Sequence, residues 1–329
     1  MSGFVENMRE KQKFVNEVIN GLSFDIHSLL EAPAKYSLVT GGKRLRPILC
    51  MLCAEMVGGD YREAKNAFLA LELIHNGTLV HDDIIDNDHF RRGNLSVHIK
   101  FDGKRAVLTG DALLSLGLKY ATKTGNLKIV GWLSETALKM VQGVALQTYY
   151  RRRIASAKEY LNIAYLKSGS LFEAAAALGG LVSNENEAVI KRLADFGRFF
   201  GIAYQIRDDI CGIFHNDDTD LSRSDLLNGD LTLPFIYALE ANSISDQDKK
   251  NLVDIFLGGK EDIDEEKVQR IYMETGAIDE SMERMRYYAE QGNYLLSLFE
   301  ESRARECIQF LFHQYYKDFN PRAKLEIII

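Results

Sequence analysis

Only four prolines interrupt this chain of 329 residues, at positions 33, 47, 234 and 321, so very long stretches contain nothing that forbids a helix. Within those stretches apolar residues recur at intervals of three and four rather than two. AKNAFLALELIHNGTLVHDDI, AVLTGDALLSLGLKYATKT, IVGWLSETALKMVQGVALQTYYRRR and EYLNIAYLKSGSLFEAAAALGGL each predict long helix, as do NEAVIKRLADFGRFFGIAYQIRDDICGIF and SMERMRYYAEQGNYLLSLF. Several are apolar on more than one face, which predicts helices enclosed in a large bundle. No strand with turn chemistry, no repeat and no linker rich in Gly, Pro or Ser stands out. FHNDDTDLSRSDLLNGD reads as a polar loop and GGKEDIDEEK as a charged turn. The expectation is one all-α domain over residues 1–329.

No apolar run approaches the ~20 residues of a membrane span. The opening MSGFVENMREKQKF lacks the apolar core of a signal peptide, so a soluble cytoplasmic protein without a transmembrane segment is expected. A net charge of −7 argues against nucleic acid as a partner, since that needs a basic face. Of four cysteines, Cys50 and Cys53 form a lone CxxC in an apolar helical run, which predicts reduced thiols in the core.

Polar chemistry concentrates in two acidic groups. In LVHDDIIDNDHFRRG, Asp82 and Asp86 lie four residues apart and share a helix face, with Asp83 beside them and Arg91 and Arg92 behind. Such a row is either a solvated acidic helix end or a set of oxygen ligands for a hard cation, magnesium above all. The second group, Asp208 and Asp209 in FGIAYQIRDDICGIF, follows an apolar helix and is costly to bury unless paired, for instance with Arg207, or metal-bound. Two such pairs favour a shared cation site on facing helices. In TGGKRLRPIL, Gly41 and Gly42 allow a tight turn while Lys43, Arg44 and Arg46 offer donors to phosphate oxygens. With Arg91, Arg92 and Lys167 they make a set of anion-binding candidates. Glu72 and His75 have the Glu-x-x-His spacing of di-iron bundles, but that architecture needs a second copy and the sequence contains one clear instance. His75 on its own reads as a satisfied core histidine.

Taken together, GGKRLRP (41–47), HDDIIDNDHFRRG (81–93), SVH (96–98), TGDALL (109–114), the Lys-Ser pair 167–168, YQIRDD (204–209), TLP (232–234) and GAID (276–279) resemble the trans-isoprenyl diphosphate synthases, or polyprenyl synthetases, in order and over most of the chain. The resemblance implies an antiparallel helical bundle of the isoprenoid synthase type around a deep central cavity, usually a homodimer. It implies head-to-tail condensation of isopentenyl diphosphate with an allylic diphosphate, with magnesium, about three ions brought together with the allylic diphosphate, acting as Lewis acid. Carried over by position, Asp82 and Asp86 resemble the first metal ligands with Asp83 in support, and Asp208 the second with Asp209 beside it. Lys43, Arg46, His75 and Arg92 resemble the isopentenyl diphosphate site; Arg91, Lys167, Ser168 and Gln205 resemble contacts to the allylic diphosphate.

The sequence departs from the family at several places. Gly212 stands at the third acidic position of the second motif, Asp230 and Leu231 stand where lysines are frequent, and Tyr150 stands where an Asp often follows Gln147. Arg223 is a candidate replacement cation. These changes favour, as the alternative, a weak or non-catalytic subunit of a heteromeric enzyme. For product length the resemblance points to the helix entering the first motif, where Gly77, Thr78 and Ile74 are five, four and eight residues before Asp82. One helical turn is about 5.4 Å, comparable with one isoprene unit, so the missing side chain at Gly77 predicts a product of twenty carbons or more.

Overall fold

The computed structural model describes residues 2–214, 225–258 and 264–321. The chain runs through α1 (Ser2–Asn20), α2 (Ser28–Val39), α3 (Leu45–Met56), a 3-10 turn (Tyr61–Ala64) and α4 (Lys65–Ile85). A two-stranded hairpin, β1 (Phe90–Arg91) and β2 (Asn94–Leu95), precedes α5 (Val97–Lys100), α6 (Gly103–Thr122) and α7 (Leu127–Tyr150). Then come α8 (Ala157–Ala164), a π-helical turn (Tyr165–Gly169), α9 (Ser170–Val182) and α10 (Glu187–Phe214). The remainder is α11 (Asp225–Asn228), α12 (Leu233–Glu240), α13 (Asp246–Phe256), α14 (Glu265–Glu274), α15 (Ala277–Ser297), α16 (Arg303–Phe312) and a second π turn (His313–Lys317).

The fold is all-α, as the periodicity predicts. Its centre is α9, buried along Ser170–Leu181 with no solvent face, and it packs on α3, α4, α7 and α10. A helix apolar all round is stable only when enclosed in this way. Each fully buried Leu or Phe, such as Leu171, Phe172 and Leu178, contributes about 1.5–3 kcal/mol through the area it removes from water. One continuous apolar core extends from Met8 of α1 to Tyr316 of the last turn, and Cys50 and Cys53 lie inside it, fully buried. No helix among the described residues is long and apolar enough to cross a membrane.

The most extensive seam joins α4 to α6. A Cβ at Gly117 would come within 2.6 Å of the Ile74 side chain, and one at Gly77 within 3.0 Å of the Gly110 carbonyl oxygen. Ile74, Gly77 and His81 recur at helical spacing and meet Gly110 and Gly117, a heptad apart. Glycine here serves close approach of two backbones.

Two features depart from the sequence-based expectation. The segment read as one helix over 159–181 is broken by the π turn, which inserts an extra residue and re-aims the side chains after it. A short hairpin occurs where no strand was expected: Arg92 and Gly93 have φ of 55° and 71°, the left-handed pair that closes a two-residue loop and sets Arg91 opposite Asn94. Of the polar loop expected over 214–230, residues 215–224, with Arg223, lie outside the described residues; Asp225–Asn228 form a helical turn.

Candidate active site

Two acidic motifs and two sets of basic residues face the same region. The first motif closes α4: Asp82 and Asp83 sit in its last turn and Asp86 is its C-cap. The second lies two turns before the end of α10. Lys167 is close enough to favour the charged form of both Asp82 and Asp225, and Asp225 in turn senses Asp86, Asp208 and Asp230.

A cavity of 460 Å³ is lined by Lys43, Arg46, His75 and Arg92 together with Gly41, Gly42 and Tyr204. Gly41 and Gly42 have φ of 96° and 129°, and a Cβ on Gly42 would lie 2.7 Å from the Arg92 guanidinium. Only glycine combines that backbone with that clearance. Arg92 donates to the Gly41 carbonyl, and the Arg46 guanidinium lies 4.4 Å from the centre of the Phe172 ring. Arg46 Nη1 is 3.1 Å from His75 Nε2. Arginine only donates, so Nε2 accepts and the imidazole proton resides on Nδ1. Burial, reinforced by Arg46, Arg92, Arg91 and Arg44, holds His75 well below the usual imidazole range, so it is neutral. His75 Nδ1 and Arg46 Nε are buried without a partner among the described residues. The same two side chains line a cavity that also presents Lys43 and Arg92, a cationic wall that suits an acceptor-rich ligand.

Arg44 departs from the expectation that it joins the anion-binding donors. It is buried, adopts a left-handed conformation (φ 51°), and pairs with Glu72 at 2.5 Å. That pairing, with the Asn76 amide donating to Glu72 Oε1 at 3.2 Å, also removes Glu72 from any di-iron role.

The carboxylates divide into committed and free. Asp83 is held by Arg91, which also reaches Asp88 Oδ2 at 3.2 Å; burial pushes Asp83 up to about 6 against the pull of Arg91. Asp209 accepts from Tyr160 at 2.5 Å and from Gln205 at 2.7 Å; burial first, then Asp225, drives its pKa far up. Ser168 donates to Gln205, and Lys167 Nζ donates to Gln147 at 2.6 Å. Asp86 is bonded by Arg151 at 2.7 Å. Asp82 and Asp208 have no hydrogen-bond or ion-pair partner among the described residues, and burial raises the pKa of each. Asp208 is exposed to solvent although protein surrounds it closely. Arg207 does not pair with it; its guanidinium packs on Tyr315 and Phe319, 5.1 and 5.0 Å from the ring centres.

The donor set suits magnesium. Among the described residues no three His, Cys, Asp or Glu side chains converge on a point, and magnesium takes one or two carboxylates, completing its shell with water and phosphate oxygens. Asp82 and Asp208 are hard oxygen donors of that kind, and Lys43, Arg46 and Arg92 supply positive charge for an accompanying anion.

Two residues of this region were not singled out from the sequence. Arg151 sits in a basic run, YYRRR, that reads as solvated helix end. Asp225 has a carboxyl oxygen 3.8 Å from where a side chain at Gly212 would begin, so α11 brings a carboxylate beside the position where the second motif lacks one. The remaining sequence candidates, Ile74, Gly77 and Thr78, are buried in α4; the Thr78 hydroxyl donates to the His75 carbonyl at 2.8 Å.

Known proteins resemble the chain along most of its length. The profile of the polyprenyl synthetase family matches residues 27–275. A short chain isoprenyl diphosphate synthase of Methanothermobacter thermautotrophicus is 30% identical over 94% of this chain and 97% of its own. A geranylgeranyl pyrophosphate synthetase structure from Geoglobus acetivorans superposes with a TM-score of 0.83 at 31% identity, covering 94% of this chain and 99% of that one. A polyprenyl synthase structure from Caulobacter crescentus, in complex with calcium and isoprenyl diphosphate, superposes with a TM-score of 0.85 at 26% identity, over 94% and 96% of the two chains.

Proposed function

The chain belongs to the polyprenyl synthetase family and is a trans-prenyltransferase, and we propose that it condenses isopentenyl diphosphate head-to-tail with an allylic diphosphate, in a magnesium-dependent reaction giving a trans-polyprenyl diphosphate of twenty carbons or more. The observation that carries this reading is the cavity whose wall brings Lys43, Arg46, His75 and Arg92 together. That cationic wall suits the diphosphate of isopentenyl diphosphate.

Asp82, Asp86 and Asp208 would hold magnesium, which when bound neutralises charge growing on the departing diphosphate. Asp83 and Asp209 stand behind them, oriented by Arg91 and by Tyr160 and Gln205. Lys167 and Ser168, held by Gln147 and Gln205, and Arg91 face the allylic diphosphate. The apolar interior keeps water from the allylic cation. A cytoplasmic homodimer is part of the same reading; Leu108 and Leu118 on α6 and Leu138, Val141 and Tyr149 on α7 are exposed apolar side chains of the kind a second copy would cover.

The Arg151 bond to Asp86 and the glycine at 212 favour one other reading, a weakly active or non-catalytic subunit of a heteromeric synthase. One assay separates the two. Folded protein is incubated with magnesium, labelled isopentenyl diphosphate, and geranyl, farnesyl or geranylgeranyl diphosphate in turn; products are dephosphorylated and sized, with Asp82→Ala as control. A magnesium-dependent ladder that the control lacks supports the synthase. No product from any primer supports the subunit.

A further inference from the structure

Two of the departures from the family pattern concern charge near the allylic diphosphate, and the fold brings one of them against an arginine. Asp230 replaces a frequent lysine, and the residue after Tyr150 is Arg151. Arg151 Nε lies 3.1 Å from Asp230 Oδ1 and its Nη2 lies 3.3 Å from Asp230 Oδ2, a two-point grip on one carboxylate. The same Nη2 reaches Asp86 Oδ1 at 2.7 Å. All three side chains are largely buried, at 23%, 10% and 18% exposure for Arg151, Asp230 and Asp86.

The backbone fixes this arrangement. The Arg152 N–H donates to the Gly229 carbonyl at 2.8 Å, and the Asp230 N–H donates to the Asp225 carbonyl at 2.8 Å. Gly229, at φ 74°, allows the turn, and a Cβ there would strike Arg152. The residue after Arg151 is thus tied to the residue before Asp230, which joins the end of α7 to the approach to α12.

We infer that Arg151, positioned by Asp230, is the cation that replaces the missing loop lysine and donates to the diphosphate of the allylic substrate. The inference rests on the prenyl-transfer reading above. Arg151 has two carboxylate partners and one positive charge, so the triad carries a net negative charge into which a dication fits. With Asp86 serving as a metal ligand, Arg151 would give up its one bond to Asp86, while the two-point grip of Asp230 would keep the guanidinium in place. Its freed donors then face the anion that accompanies the metal, in the planar geometry that suits phosphate oxygens. Asp230 acts through Arg151 and is a positioning residue.

Binding measurements on the full chain test this without relying on turnover. Manganese, a hard divalent stand-in whose free ion is followed by electron paramagnetic resonance, is titrated alone; inorganic pyrophosphate is then titrated calorimetrically with magnesium present. Arg151→Gln removes the competitor for Asp86, so manganese alone binds severalfold tighter, while magnesium-dependent pyrophosphate affinity falls about tenfold with the lost charge-assisted bonds. Arg151→Lys keeps the charge and recovers part of the pyrophosphate affinity; Asp230→Asn, which loosens the arginine, weakens it to an intermediate degree. Opposite changes for metal and anion distinguish this role from a structural one. Pyrophosphate binding that is unchanged in Arg151→Gln, while the native chain binds it, overturns the inference alone. Equal loss of both ligands, or loss in Arg151→Gln that Arg151→Lys does not relieve, makes the arginine structural and overturns it too. Failure of the native chain to bind magnesium pyrophosphate overturns the inference together with the reading beneath it.

Discussion

Arg44 and Glu72 stand 28 residues apart in sequence and 2.5 Å apart in space, each side chain 3% exposed. Arg44 also donates to the Leu38 carbonyl and, at 3.2 Å, to Asn16 Oδ1, so one guanidinium ties α1, α2 and the start of α3 to the middle of α4. Lys43 and Arg46 flank it and His75 lies one turn beyond Glu72. The pair therefore holds the cationic cavity in shape without lending it charge.

Glu72→Gln leaves a buried guanidinium without its counter-charge. Such one-sided removal costs about 3–5 kcal/mol. Equilibrium unfolding in urea should record a loss in that range, with pyrophosphate affinity falling in the same variant. A loss below about 1 kcal/mol would mean that Arg44 is readily solvated.

Asp82 is a case where stability and function oppose each other. Burial raises its pKa, with Asp86 adding to the effect and Lys167 and Arg91 opposing it. Asp82→Asn should abolish magnesium-dependent product formation and, without metal, raise the melting temperature by roughly 1–2 °C, the gain expected from relieving about 1 kcal/mol of charge burial in a chain of this length. Activity at the native level would exclude the aspartate as a ligand.

The imidazole of His75 gives a pH signature. Its folded pKa lies well below 6.5, so as pH falls the unfolded chain takes up a proton that the folded chain refuses. Stability from this group is present above pH 6.5 and lost below it, by about 1.4 kcal/mol for each pH unit. Asp83, pushed up to about 6 by burial, works the other way: its contribution is present at low pH and lost as pH rises through that value. The informative quantity is therefore the difference between native chain and His75→Gln, compared by urea unfolding at about pH 7.5 and about pH 5.5. The variant should lose less stability on acidification; identical losses would show that the folded imidazole is charged.

Gly77 has two consequences that one substitution separates. A Cβ there would meet Gly110 O at 3.0 Å, the Leu114 Cγ at 3.1 Å and the Leu113 Cβ at 3.3 Å, so Gly77→Phe overpacks the seam at a cost of about 1–3 kcal/mol. If this position also limits the growing chain, the main product shortens. Product sizing beside a thermal melt reads both: destabilisation with unchanged product length would move the limiting wall to other residues.

How much of this was legible in the sequence follows from range. The helices were, because apolar spacing reports burial locally, and α4 and α10 end close to where their aspartates suggest. The cationic loop was legible through Gly41 and Gly42, whose positive φ has a sequence signature. The hairpin was harder, since its loop uses Arg92 where asparagine or aspartate would have signalled the turn. The pairings of Arg44 with Glu72 and of Arg151 with Asp86 and Asp230 join residues 28, 65 and 79 positions apart. Nothing in the local composition distinguishes such arginines from solvated ones. Asp225 escaped notice for the same reason, as its relation to Gly212 exists only in three dimensions.

The wide turn at Tyr165–Gly169 has an evolutionary corollary. Lys167 and Ser168 meet Gln147 and Gln205 because the backbone there runs one residue long. Deleting any single residue of that turn would rotate the preceding helix against α9 by about 100°. Both contacts would be lost with every side chain still encoded. At this point heredity of the site depends on a count of codons as much as on their identity, and relatives that differ by one residue in length here would diverge in substrate handling before any substitution separates them.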